Sequence, residues 1–198
     1  MDKPESGHIR APFTFTESEK RILLETARSS IASAFSRPKS GPVQDESLTP
    51  IMKELHGVFV TLRIGGHLRG CIGQIVPMEP LFRLVARVAQ QSAFDDPRFP
   101  PLEEPELAQV RLEITVLSQL WEARNPEEVI AGVHGVLIRR GLRQGVLLPQ
   151  VATEQGWNRR QFLEATCRKA GLEPKDLKGK DTKILLFTAT VFSELSEG

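Results

Sequence analysis

The sequence predicts an α+β fold built on a mainly antiparallel sheet packed against helices, and three observations predict it. Segments rich in β-branched residues come in pairs joined by turn sequences, as hairpins do. Helical apolar stripes fall between those pairs rather than after every strand. Neither a GxGxxG turn nor a P-loop lysine motif occurs, so a nucleotide-binding parallel core has no support.

The first element begins at Thr16, which forms an S/T-x-x-E capping box with Glu19. Ile22, Leu23, Ala27, Ile31, Ala34 and Phe35 then recur at three- and four-residue spacing, the stripe of an amphipathic helix that Arg37-Pro38 stops. A loop rich in Ser, Gly, Pro and charge runs to Pro50, where Thr49-Pro50 suits the start of a short helix. Val58 to Ile64 is β-rich, Gly65-Gly66 supplies the positive φ of a tight turn, and His67 to Gly73 is the returning strand. A two-residue loop would set Ile64 opposite His67, Leu62 opposite Arg69 and Val60 opposite Cys71.

Pro80 to Ala93 reads as a second helix, with Leu81, Leu84, Val85, Val88, Ala89 and Ser92 inward. Asp95 to Pro101 holds three prolines and cannot be regular structure. Val110 to Leu117 alternates, with Leu112, Ile114 and Val116 inward and Arg111, Glu113 and Thr115 on a wet face. Asn125-Pro126 starts a short helix; Val133–Arg139 and Val146–Leu148 make a hairpin around residues 140–145. Asn158 caps a helix carrying Phe162, Leu163, Thr166 and Cys167, closed by Gly171. Lys183 to Phe192 is one last strand, apolar enough to be central.

Composition narrows the function. The 198 residues include 26 basic and 25 acidic ones, a net charge of +1 without any run of one sign, so neither a nucleic-acid groove nor an anionic membrane surface is indicated. No apolar run approaches a membrane span, and the first twelve residues lack a signal-peptide core. Two cysteines, Cys71 and Cys167, are too few for a disulfide framework and fit a reducing, cytoplasmic setting. Four scattered histidines with no paired spacing make a dedicated metal site unexpected; His8 and His56 read as peripheral.

Gly57 to Leu62 followed by Leu68-Arg69-Gly70-Cys71-Ile72-Gly73 resembles the AMMECR-type domain family. Asp96 to Pro101, Val133 to Val136, Leu147 to Val151, and Phe162-Leu163 through Lys169-Ala170-Gly171 are similar to its later blocks. Five ordered blocks span nearly the whole chain. The resemblance implies a single domain over residues 12–194, with tails at 1–11 and 195–198, made of two closely joined lobes and a cleft lined by Leu68–Gly73. It also implies work beside a radical-SAM protein and a Memo-like protein, as in the AmmeMemoRadiSam system.

Cys71 is the central candidate. Arg69 lies two residues before it on one strand face, about 6–7 Å away at the roots, and a guanidinium there favours the nucleophilic thiolate. Gly70 and Gly73 would let a ligand approach the backbone. The competing reading makes Cys71 a small core residue beside Val60 and Leu62. His67 is about 13 Å along the strand and cannot be its base, which leaves His134 as the histidine candidate. Asp96 and Arg98 would present a carboxylate and a guanidinium to a polar ligand or form a structural pair that pins the proline loop. The Gln150 amide would read a ligand's polar edge, Trp157 would staple a helix or stack on a ligand, and Cys167 belongs to the core.

Three functions follow. The first is an enzyme or enzyme subunit using Cys71, tuned by Arg69, on a small anionic or carbonyl-bearing ligand held near Gly70, Gly73, Asp96, Arg98, His134 and Gln150. The second is a non-catalytic module acting with the radical-SAM or Memo-like partner. The third is a nucleotide or nucleic-acid binder using Arg69, Arg98, Arg139, Arg140 and Arg143, which the neutral charge balance weakens. The sequence leaves any cofactor open.

Overall fold

A computed structural model of the chain describes residues 14–36, 47–179 and 181–194. The expected stop at Arg37-Pro38, most of the loop after it, and both tails lie outside the described residues. The chain divides into two compact units, one containing residues 14–117 and 190–194, the other residues 118–189.

In the first unit, α1 (Glu17–Ala32) starts at the predicted box: Glu19 N–H donates to Thr16 Oγ1 at 3.2 Å while Glu19 Oε2 accepts from Thr16 N at 2.7 Å. Thr49 also donates to Glu19, so the carboxyl, nearly buried, is held below the usual carboxylate range, by Thr49 first and Thr16 next. Ala34 and Phe35 fall in a turn beyond the helix rather than in it. After α2 (Pro50–Lys53), β1 (Val58–Ile64) and β2 (His67–Gln74) form the predicted hairpin, with positive φ at both Gly65 and Gly66. Helix α3 (Leu81–Phe94) and strand β3 (Arg111–Leu117) follow.

The sheet order is β2-β1-β3-β8, with β8 running Ala189–Ser193. Helix α3 packs on β1 and β2, and α1 packs on α3 and β3. Val58, Val60, Leu62, Leu112, Ile114 and Val116 supply the buried face, as the alternation of β1 and β3 requires. Burying each such side chain stabilises the fold by roughly 1.5–3 kcal/mol before entropy is counted. Arg28 ties Glu194 to this unit, donating to both of its carboxylate oxygens and to the carbonyls of Leu107 and Val110.

The second unit has its own antiparallel sheet, ordered β4-β7-β5-β6, with β4 at Trp121–Glu122, β5 at Gly135–Arg140, β6 at Arg143–Leu147 and β7 at Thr182–Phe187. Helices α4 (Pro149–Glu154) and α5 (Arg159–Lys169) complete it. Asn158 and Gln161 form a reciprocal cap on α5, and Trp157 packs against the core, so it staples the helix.

Two strand expectations are corrected. The β5–β6 turn is Gly141-Leu142, not a six-residue loop, because the polar residues Arg143 and Gln144 continue an edge strand where no apolar alternation is needed. The last strand is two strands: β7 is interior to the second sheet and β8 is outermost in the first. The break falls at Thr188, whose N–H bonds Ser118 Oγ at 3.0 Å and whose carbonyl accepts from Ser118 N at 2.9 Å.

Candidate functional site

The β1–β2 ladder keeps Ile64 opposite His67 as expected, then slips. Arg63 pairs with Leu68 and Leu62 with Gly70, leaving Arg69 as the extra residue of a β-bulge. Cys71 therefore faces Thr61, not Val60, and Leu62 faces Gly70, not Arg69. The thiol sits on the sheet face away from the buried valines, half-buried, accepting a hydrogen bond from Thr61 Oγ1 at 3.3 Å.

Arg69 does not turn to this thiol. Its Nε and Nη2 hold both oxygens of Glu106 at 2.7 and 2.8 Å, and Nη1 and Nη2 donate to the carbonyls of Pro100 and Pro101. Prolines bring acceptors without donors, and the bulged arginine supplies the missing N–H groups. Arg69 holds Glu106 below the usual carboxylate range, burial opposing it.

The guanidinium beside Cys71 belongs to Arg98. Asp96, 4% exposed, accepts from the Cys71 amide at 2.8 Å and the Arg98 amide at 3.1 Å, and both of its oxygens bind the Arg98 guanidinium. Arg98 Nη2 also donates to the Cys71 carbonyl at 2.9 Å. Both backbone groups of Cys71 on the open side of the edge strand are thereby occupied. Arg98 first, then the backbone amides, hold the Asp96 carboxyl far below its ordinary range, against burial.

The glycines are accounted for by the chain's own packing. A Cβ at Gly70 would overlap the Ser92 carbonyl of α3, and one at Gly73 would overlap the Phe59 ring. Ser92 also bridges the hairpin, its hydroxyl donating to Val60 O at 2.8 Å and accepting from Ile72 N at 2.9 Å. Sequence reading missed Thr61, Ser92 and Glu106. Thr61 is a polar interruption among Val58, Val60 and Leu62, a signal usable once the bulge is known.

His134 and Gln150 belong to the second unit. His134 Nδ1 accepts from Ile130 N at 3.2 Å, which leaves the proton of the neutral ring on Nε2, and Trp121 lies edge-on at 5.5 Å. Burial holds the imidazole below its ordinary pKa. Gln150 lies in the first turn of α4. His56, read as peripheral, is buried, with Nε2 3.1 Å from Glu54. Cys167 is fully buried in the second unit's core, and burial pushes its thiol up to about 11. Among the described residues no cluster of three His, Cys, Asp or Glu side chains could hold a metal ion, and no helix is long and apolar enough to cross a membrane.

The family model AMMECR1 matches residues 24–192, the span that contains the Cys71 strand, the Asp96 loop and both sheets. The chain belongs to the AMMECR1 family. A protein of Methanothermobacter thermautotrophicus is 38% identical over 185 residues, covering 90% of this chain and 96% of that one. Protein MK0488 of Methanopyrus kandleri is 38% identical over 188 residues, covering 90% of each. The crystal structure of the uncharacterized protein PH0010 from Pyrococcus horikoshii superposes with a TM-score of 0.82 at 35% identity, covering 92% of this chain and 94% of that one. PH0010 thus shares this α+β arrangement of antiparallel sheets and helices.

Proposed function

We propose that the β2 edge of the first unit binds a small polar ligand and that the Cys71 thiol is its reactive group. One observation carries this reading. Cys71 lies half-buried on the sheet face, its sulfur fixed by Thr61 on the neighbouring strand, while Asp96 and Arg98 clamp the backbone on both sides of it. A thiol with so little positional freedom presents one face to an incoming molecule, and fixed orientation is what a binding or reacting group requires. The Arg98 guanidinium, 54% exposed at its side chain, adds a positive charge beside the sulfur.

The test is alkylation of the folded full-length chain with iodoacetamide at neutral pH, followed by peptide mapping. Cys71 is labelled while Cys167 stays protected until the chain unfolds, and Cys71→Ser abolishes the early label. Labelling of Cys167 no slower than Cys71 in the folded chain overturns the reading.

A further inference from the structure

The polar face of the first sheet carries three charges that the Cys71 clamp does not use. Residues alternate along β1 and β3, so Phe59, Thr61 and Arg63 share a face with Arg111, Glu113 and Thr115. The ladder sets Arg63 directly opposite Arg111. It sets Thr61 between Cys71 on one side and Glu113 on the other. The face therefore reads as two adjacent rows, a pair of arginines and then a thiol, a hydroxyl and a carboxylate.

Like charges directly opposite on neighbouring strands repel, because their Cβ atoms stand only about 5 Å apart. The ordinary relief is a carboxylate between them, yet neither arginine takes Glu113 as an ion-pair partner. Arg63 makes a single long contact, Nη1 to Gly66 O at 3.4 Å, and the Arg111 guanidinium has no hydrogen-bond or ion-pair partner among the described residues. Every other arginine of the site differs: Arg69 and Arg98 are bound to carboxylates through two nitrogens each. Two guanidinium groups facing each other with no carboxylate partner among the described residues match an oxyanion, which accepts from both and removes their repulsion.

We infer that Arg63 and Arg111 bind the oxyanion, carboxylate or phosphate, of the ligand whose other end meets Cys71. The inference rests on the Cys71 reading and gives it a substrate class: a small acid or phosphorylated compound with a polar group about 10 Å from its anion, one same-face step of about 7 Å along the strand taken together with the sideways offset of Cys71, which lies one strand beyond Arg63. Glu113, in the thiol row, repels a second negative charge there and orients the ligand with its anion on the arginine row.

Two alkylating agents of nearly one shape test this, iodoacetate as the carboxylate probe and iodoacetamide as the neutral one. At low salt, the ratio of the iodoacetate to the iodoacetamide rate constant at Cys71 falls about twofold in Arg63→Gln and somewhat less in Arg111→Gln, the sizes expected in water for one charge at about 8 Å and one at about 12 Å. It rises by a similar factor in Glu113→Gln, and taking the ratio cancels any change in thiolate population, which acts on both reagents alike. Screening at about 1 M salt, where the Debye length is near 3 Å, removes the differences. Damage to the fold moves both reagents together and cannot produce opposite signs. An unchanged ratio in both arginine variants overturns the inference. Inorganic phosphate is the second arm: at constant ionic strength it raises the unfolding temperature of the native chain and leaves the Arg63→Gln/Arg111→Gln double variant unmoved. An equal rise in both proteins also overturns the inference. Cys71 inert to iodoacetamide, with the phosphate response intact, removes the thiol reading and leaves the anion site standing; a reactive Cys71 with no arginine dependence does the reverse.

Discussion

Strands β2 and β6 each lie at one edge of their sheet, and each carries a glycine against which a helix backbone rests. At Gly70 the neighbour is the Ser92 carbonyl of α3; at Gly145 it is the end of α5, at Thr166, Lys169 and Ala170. The two edges then part ways. Beyond β6 the helix delivers Phe162, Leu163 and Cys167 to an apolar core, and the thiol is sealed there. Beyond β2 the neighbours are Ser92, Asp96, Arg98 and the Arg69–Glu106 pair, which answer backbone polar groups one by one. An edge held by apolar contact tolerates some sliding, whereas an edge held by buried charge fixes its atoms, since each broken bond leaves a desolvated group unpaired. The second arrangement suits a strand that must present a thiol in one place.

The comparison breaks most readily at Asp96. Asp96→Ala strands the Cys71 and Arg98 amides and is expected to cost about 3 kcal/mol in urea unfolding, with half-exposed Arg98 partly rescued by water. No polar truncation at the β6 edge should approach that. The same carboxylate shapes the acid limb. Its folded pKa lies below the unfolded value near 3.9, so its contribution is complete above that pH and is lost as pH falls toward the folded pKa. Asp96→Asn should therefore flatten the loss of stability below about pH 4. In the second unit His134 acts earlier and with the same sign: burial lowers its pKa, so the unfolded chain takes up the proton first as pH drops through about 6.5. His134→Phe should remove that part of the slope, as measured by unfolding free energy against pH.

The glycines test what the edges share. Gly70→Ala and Gly145→Ala are each expected to destabilise by about 2 kcal/mol, because the added methyl meets helix backbone that cannot rotate away. A cost at only one of them would show that the two helix contacts are not equivalent. Ser92→Ala, which leaves Ile72 N–H and Val60 C=O without their bridge, should cost about 1.5 kcal/mol and speed amide exchange at Ile72. The thiols give the smallest difference: Cys167→Ala opens a small void at about 1 kcal/mol, and Cys71→Ala, at a half-buried position, stays within about 0.5 kcal/mol. A larger cost at Cys71 than at Cys167 would make it the structural thiol.

Local chemistry made much of this fold legible. The Thr16–Glu19 box, the Gly65-Gly66 turn, the stripe of α3 and the alternation of β3 from Arg111 to Ile114 depend on neighbours a few residues away, so the sequence alone determines them, along with the pairing of Ile64 with His67; Thr115, expected on a wet face, is instead buried. The bulge at Arg69 was not legible. It moves Cys71 from Val60 to Thr61, and it is stabilised by a glutamate 37 residues away and by two proline carbonyls. Arg69 and Arg98 look alike in sequence as cations near the thiol; the fold gave the first to Glu106 and the second to Asp96 and the Cys71 carbonyl. The division of the last strand at Thr188 was equally hidden, because both halves are apolar and only sheet membership separates them. Periodicity and caps are short-range and can be read along a line. Which long side chain reaches which buried acceptor depends on distances through space, and those exist only once the sheet and helices are packed.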